Sequence, residues 1–105
     1  MDYPVYGKAV AHAVADGSCE KGIVICSTGI GISIAANKVP GIRCALCGDF
    51  FSARATRQHN DVNVLALWAL VTGSGLALEI VDIFLDTPFS EEERHRRRIA
   101  QLEEA

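Results

Sequence analysis

This chain has no apolar run approaching the roughly 20 residues that a helix needs to cross a bilayer, so nothing in it reads as a membrane span. It also lacks an excess of positive charge: 10 lysines and arginines stand against 13 aspartates and glutamates, a formal net charge of −3. That balance supplies no global basic field for nucleic acid. The opening residues Met1-Asp2-Tyr3-Pro4 follow the pattern of neither a signal peptide nor a transit peptide, and a cytoplasmic location is the expectation. Internal repeats, low-complexity stretches and linkers are missing too, so residues 1–105 are read as one domain with a single modest core. No Gly-x-Ser-x-Gly elbow is present, which counts against a serine hydrolase.

The four cysteines do not add up to a metal site. Cys44-Ala-Leu-Cys47 has the gap of a zinc knuckle, but no second pair with that spacing follows. It also falls in the apolar run Ile42–Cys47, which reads as a strand, where residues three apart point to opposite faces. Cys44 and Cys47 are expected to be buried small hydrophobes and Cys19 a loop thiol. No metal and no cofactor are expected.

What is present centres on Gly22–Lys38, Gly-Ile-Val-Ile-Cys-Ser-Thr-Gly-Ile-Gly-Ile-Ser-Ile-Ala-Ala-Asn-Lys. Ile23, Val24 and Ile25 form a short unbroken apolar run, the pattern of a strand buried on both faces of a parallel sheet. Ser27, Thr28, Gly29 and Gly31 supply a tight turn after Cys26, and Ile32–Asn37 continue as a helix. Ligands of open α/β sheets bind at the carboxyl ends of strands. A helix beginning there directs unpaired N–H groups and partial positive charge into the crevice, a field that favours the thiolate of a cysteine at the same place. The segment therefore offers a base or nucleophile beside an anion cradle.

Around it the elements alternate. Val5–Asp16 reads as an amphipathic helix with Tyr6, Ala9, Val10, Ala13 and Val14 on one face, capped by Asp2 and ended near Gly17. Pro40-Gly41 breaks the helix after Gly31, Ile42–Cys47 makes a second strand, and Asp49–Asn60 a more polar helix. Asn63–Leu67 is a third strand. After a loop at Thr72–Gly75, Leu76, Ala77, Ile80, Val81, Phe84 and Leu85 mark a helix stopped by Thr87-Pro88. Ser90 and Glu93 have the spacing of a capping box for a last helix, Glu91–Ala105. The order predicts an α/β fold: a Rossmann-like parallel sheet with helices on both faces, cut to about three strands, with an edge that something must cover.

Cys26-Ser27-Thr28-Gly29-Ile30-Gly31 with its Asn37-Lys38 ending, then Gly41-Ile42-Arg43, then His59-Asn60-Asp61-Val62-Asn63-Val64-Leu65, resembles type B ribose-5-phosphate isomerase, a family that includes the galactose-6-phosphate isomerase subunits. The likeness runs over essentially the whole chain. It implies metal-free interconversion of an aldose phosphate and a ketose phosphate by a homodimer or homotetramer. By this resemblance Cys26 is the base that moves a proton between C1 and C2. The amides of Ser27, Gly29, Ile30 and Gly31 then cradle the enediolate, with the Thr28 hydroxyl assisting. His59 matches the ring-opening acid/base, reaching the site of a neighbouring subunit, and Asn60 a sugar-binding amide. Arg94 and Arg98, one turn apart, match arginines that hold the phosphate.

Three departures stand against the family pattern. Family members carry Gly where Ser27 sits, and usually Gly-x-Arg-Val where this chain reads Trp68-Ala69-Leu70-Val71. Leu70 cannot supply the charge of that arginine, a phosphate ligand. They also carry a strand–helix–strand unit ahead of the Asp2-Tyr3-Pro4 segment, whose first strand ends in an Asp-His pair touching the sugar. The chain is therefore expected to be a shortened one, or a subunit completed by a paralogous chain.

Plainer readings exist for each residue. A cysteine ending an apolar strand is usually core, His59 near a helix C-terminus complements the dipole, and Arg94–Arg98 is a solvated face. Ser27 and Thr28 serve equally as turn residues. Gly29-x-Gly31 with Asp49 offers a dinucleotide-binding alternative, but Ile34 stands where the third glycine belongs. The partners expected are a small sugar phosphate and a second subunit, with no nucleic acid and no membrane.

Overall fold

Apolar runs of nearly equal length, separated by helices, pair most simply as parallel strands joined by crossovers. The computed structural model, which describes residues 2–104, has that architecture. Its elements are α1 (Tyr3–Ala15), β1 (Gly22–Cys26), α2 (Ile30–Asn37), β2 (Cys44–Leu46), α3 (Phe50–Asn60), β3 (Val64–Trp68), α4 (Ser74–Asp86) and α5 (Glu93–Glu103). The sheet order is β1-β3-β2 and both pairings are parallel. Gly22 lies opposite Val64 and Cys26 opposite Trp68, so β1 and β3 begin and end together.

The two faces of β3 feed two cores. Val64 and Ala66 join Val24, Ala11, Ile32 and Ala36 beneath α1 and α2. Leu65 and Leu67 join Ala53, Ile80 and Phe84 beneath α3 and α4. Helices thus cover both faces, and every residue of β3 from Val64 to Leu67 is buried. Cys44 belongs to the first core and Cys47 to the second, so the two thiols point apart.

β1 departs from the sequence reading. Val24 is buried, but Ile25 is 57% exposed, because β1 is an edge strand and its second face is incompletely covered. A run of Ile-Val-Ile suits a central strand, and here, among the described residues, no strand pairs on one side of it. The other edge, β2, is only three residues long.

α1 is also rotated from its expected face. Gly7 and Ala11 are buried while Tyr6 is 54% exposed, since α1 meets α2 at small residues: a Cβ on Gly7 would come within 2.8 Å of Ile32. Asp2 stands at the N-cap without a side-chain hydrogen bond. Asp49 does cap α3, accepting from the Ser52 amide at 2.7 Å and its hydroxyl at 2.9 Å.

The capping box predicted for α5 does not form. Glu92 is the N-cap, and the Ser90 hydroxyl is instead 2.7 Å from Nδ1 of His95. Glu91, at φ 66°, is in the left-handed region just ahead of that N-cap. Beneath α3, the buried Arg57 donates to the carbonyls of Thr87 and Val62 and to the Asp61 carboxylate, tying the segment after α4 to the start of β3.

Candidate active site

The sequence-predicted residues occupy two places, one at each end of the sheet. Cys26 closes β1 at the carboxyl end, as expected, and is only partly buried. Its Sγ accepts a hydrogen bond from the Gly29 amide at 3.1 Å. This contact requires a chain reversal within three residues, and Gly29 provides it at φ 76°. A Cβ at Gly29 would collide with Leu46 and approach the Leu67 carbonyl oxygen to 2.9 Å. The turn is thus pressed onto the ends of β2 and β3, and α2 starts immediately after it.

The rest of the turn divides its groups between structure and crevice. Ser27 and Thr28 are exposed, as is the Ile30 side chain, at 50%. The Thr28 hydroxyl takes the Ile30 amide at 3.4 Å, a long contact. Gly31 lies under the Tyr3 ring, which a Cβ there would approach to 2.6 Å. Of the amides expected to form an oxyanion cradle, that of Gly29 is turned to the sulfur and that of Ile30 toward Thr28.

The β3–α4 loop borders the same crevice. Ala69 N–H donates to the Cys26 carbonyl at 2.9 Å and Leu70 N–H to the Ser27 carbonyl at 3.2 Å. These bonds extend the β1–β3 ladder and set Leu70 beside the Cys26 loop, where it is 82% exposed. Trp68, opposite Cys26 in the register, buries its Nε1 without an acceptor and lines a cavity of about 360 Å³ with Leu46, Asp49, Ser52 and Leu76.

His59 and Asn60 end α3 at the opposite end of the sheet. The chain that follows them pairs with the strand starts: Gly22 N–H donates to the Asn63 carbonyl and Asn63 N–H to that of Arg43. α5 lies at the same end. Ser90 N–H donates to the Gln58 carbonyl, and Arg43, which also binds the carbonyls of Asn60 and Asp61, pairs with Glu103 at 2.6 Å. Arg94 and Arg98 are exposed on this helix, with Arg94 held to Glu92 at 3.0 Å. A cavity of about 440 Å³ opens here between Lys38, Arg43, Asn60 and Glu103.

Five residues of β1, at about 3.3 Å each, separate the two groups by well over 10 Å. Cys26, Ser27, Thr28, Gly29, Ile30 and Gly31 are brought together at one end; His59, Asn60, Arg94 and Arg98 at the other. One chain does not present both sets to one small molecule.

Two further thiols are set apart chemically. Burial pushes Cys44 up to about 12, with Cys47 adding to the shift, and burial followed by the Asp49 charge pushes Cys47 up to about 11. Cys19 is exposed. Asp49, the acid of the dinucleotide alternative, is spent on capping α3, and its bonds to Ser52 hold its carboxyl below the ordinary range.

No sequence pattern marks His95. It is 5% exposed, and its ring lies 4.5 Å from that of His59, centroid to centroid. In the sequence it sits unremarked in a run of arginines, and only the docking of α5 on α3 singles it out.

The Ribose/Galactose Isomerase family model matches residues 1–102. Among curated proteins, the chain is 52% identical over 101 residues to ribose-5-phosphate isomerase B of Escherichia coli, covering 96% of this chain and 67% of that protein. That match, over nearly the whole chain, decides the family. The chain belongs to the ribose/galactose isomerase family. Another family member, the galactose-6-phosphate isomerase subunit LacB of Clostridium acetobutylicum, is 40% identical over 102 residues, 97% of this chain and 59% of that one. Ribose-5-phosphate isomerase B of Clostridium thermocellum superposes with a TM-score of 0.95 at 53% identity, over 98% of this chain and 69% of that one. The chain is thus a sugar-phosphate isomerase by family, spanning about two thirds of the length of the ribose-5-phosphate isomerases B of Escherichia coli and Clostridium thermocellum.

Proposed function

We propose that the protein interconverts an aldose phosphate and a ketose phosphate through an enediolate, with ribose 5-phosphate and ribulose 5-phosphate as the pair. The observation that carries this reading is the partly open Cys26 sulfur at the strand tip, held by the Gly29 amide at the entry to α2. As its thiolate, Cys26 removes the proton from C2 of the aldose and returns it to C1, while the proton of the C2 hydroxyl passes to the C1 oxygen. The carbonyl oxygen takes up negative charge as the enediolate forms, and free amides of the turn, the Thr28 hydroxyl and the α2 N-terminus stabilise it.

His59, Asn60, Arg94 and Arg98 stand too far from Cys26 to serve in the same chain. In this proposal a second subunit brings them: His59 opens the sugar ring, Asn60 binds a hydroxyl, and the two arginines take the phosphate. A homodimer or homotetramer follows, working in the cytoplasm on a soluble metabolite and using no cofactor.

The test is an assay of ribose 5-phosphate conversion with the parent chain and Cys26→Ala, with a longer family member assayed separately as positive control. Loss of about 10²–10⁴ in kcat with an unchanged fold supports the base assignment; equal turnover by the alanine variant removes it.

A second reading has its own observation. The exposed Leu70 beside Ser27, where the family pattern carries arginine, and the uncovered Ile25 edge of β1 fit a catalytically incomplete subunit that binds a sugar phosphate or pairs with a paralogous isomerase chain. Turnover that appears only when such a chain is added favours this reading.

A further inference from the structure

His95 is a buried titratable residue for which the proposed chemistry has no use. It stands in contact with one that the chemistry needs. The His59 ring is exposed and the His95 ring is buried beneath it, their planes inclined by 36°. His95 is itself fixed. Its Nδ1 lies 2.7 Å from the Ser90 hydroxyl and 3.3 Å from the Glu92 carboxylate. Ser90 in turn is tied to α3 through its amide on the Gln58 carbonyl, and its hydroxyl accepts from the Glu92 amide.

These contacts determine the state of the ring. A carboxylate only accepts, so the tautomer carrying its proton on Nδ1 satisfies both Glu92 and Ser90 and leaves Nε2 with a lone pair. Burial and the adjacent His59 lower the proton affinity of His95. Arg94 and Arg98, on the same helix, act in the same direction, and Glu92 opposes them. His95 is therefore a neutral, oriented platform.

We propose that His95 is the positioning residue for His59: locked by Ser90 and Glu92, it holds the His59 imidazole at the angle from which that ring reaches the ring oxygen of a sugar bound by a second subunit. The inference rests on the reading of His59 as the ring-opening group and deepens it. An exposed histidine at the last turn of a helix otherwise samples several rotamers, and a group misplaced by an ångström loses much of its effect.

Ring opening gives the test its selectivity. Ribose 5-phosphate is mostly a closed furanose, whereas erythrose 4-phosphate, whose 4-hydroxyl is esterified, cannot close a five-membered ring and needs no opening. The experiment compares the full chain with His95→Ala, Ser90→Ala and His59→Ala, using both sugars and NMR relaxation of the His59 ring C–H. In His95→Ala and Ser90→Ala the His59 ring becomes mobile. Turnover of ribose 5-phosphate in them falls about tenfold in kcat with KM kept within about twofold, and erythrose 4-phosphate is unaffected. A His59 ring as ordered in both variants as in the parent overturns the inference, and so does an equal loss with the two sugars. The NMR arm decides the matter whether or not the chain turns over alone, and Ser90→Ala decides it should His95→Ala not fold. His59→Ala separates the two ideas: an unselective loss there removes the ring-opening reading, whereas a selective loss there without one in His95→Ala removes only the positioning role.

Discussion

At the scale of single residues, four chemically identical cysteines are made different by position. Cys19 and Cys26 face solvent at least in part, whereas Cys44 and Cys47 sit in opposite cores with their thiols pushed up to about 12 and 11. Thiolates are the reactive form. Iodoacetamide at pH 8 is expected to modify Cys19 and Cys26 and to spare Cys44 and Cys47, read by peptide mass spectrometry. The same shifts carry a stability consequence. An unfolded chain releases these protons near 9.0, while the folded chain keeps them to higher pH. Stability conferred at neutral pH should therefore fall as pH rises above 9 and continue falling toward 11, and a Cys44→Ala variant should lose part of that slope. Gly29 is the other residue whose identity is decided by geometry. Gly29→Ala combines a left-handed backbone with a collision at Leu46 and is expected to cost about 1–3 kcal/mol, with loss of the contact to Cys26, measured by urea denaturation. The Cys26 turn was legible in the sequence because small residues after an apolar run have few other uses. His95 was not, because its burial comes from a helix docked 36 residues away.

At the scale of elements, caps and staples outweigh periodicity. α3 was readable from Asp49, whose bond to the Ser52 amide satisfies an orphan donor. α5 was misread at its start, since Ser90 turns to His95 and leaves the helix to begin at Glu93. α1 was placed in the chain but rotated about its axis, because close approach at Gly7 outweighs the larger apolar side chain of Tyr6. Arg57 joins three elements and is the most consequential staple. Arg57→Ala should leave the carbonyls of Thr87 and Val62 without this donor, while Asp61 keeps solvent and Arg43, and lower stability by about 1–3 kcal/mol. The urea midpoint should drop with the m-value unchanged. A shift smaller than about 1 kcal/mol would mean that water replaces the guanidinium without penalty.

For the whole molecule, the sheet itself is the spacer. Parallel strands send every turn of one kind to one end and every helix end of the other kind to the opposite end, so the Cys26 loop and His59 cannot meet within a chain. If two chains share each site, Cys26→Ala and His59→Ala fail in different half-sites. Mixed in equal amounts and allowed to exchange, two such inactive preparations should recover about a quarter of parental activity, since in a two-fold dimer half the dimers are mixed and each mixed dimer has one intact site. No recovery would place the whole reaction within one chain or exclude exchange, and a labelled-subunit exchange measurement distinguishes these.

The sequence by itself determined the alternation of helix and strand, the parallel sheet and the turn after β1, because each follows from local periodicity or from residues with narrow conformational uses. It also carried the family signature in Cys26–Gly31 and His59-Asn60. Only the tertiary structure decided that β1, a strand of central character, lies at an edge with Ile25 uncovered, and that the signature residues stand at opposite ends of the sheet. It alone brought His95 beneath His59. Strand order and helix docking arise from contacts between residues far apart in the chain, and no local pattern records which face meets which.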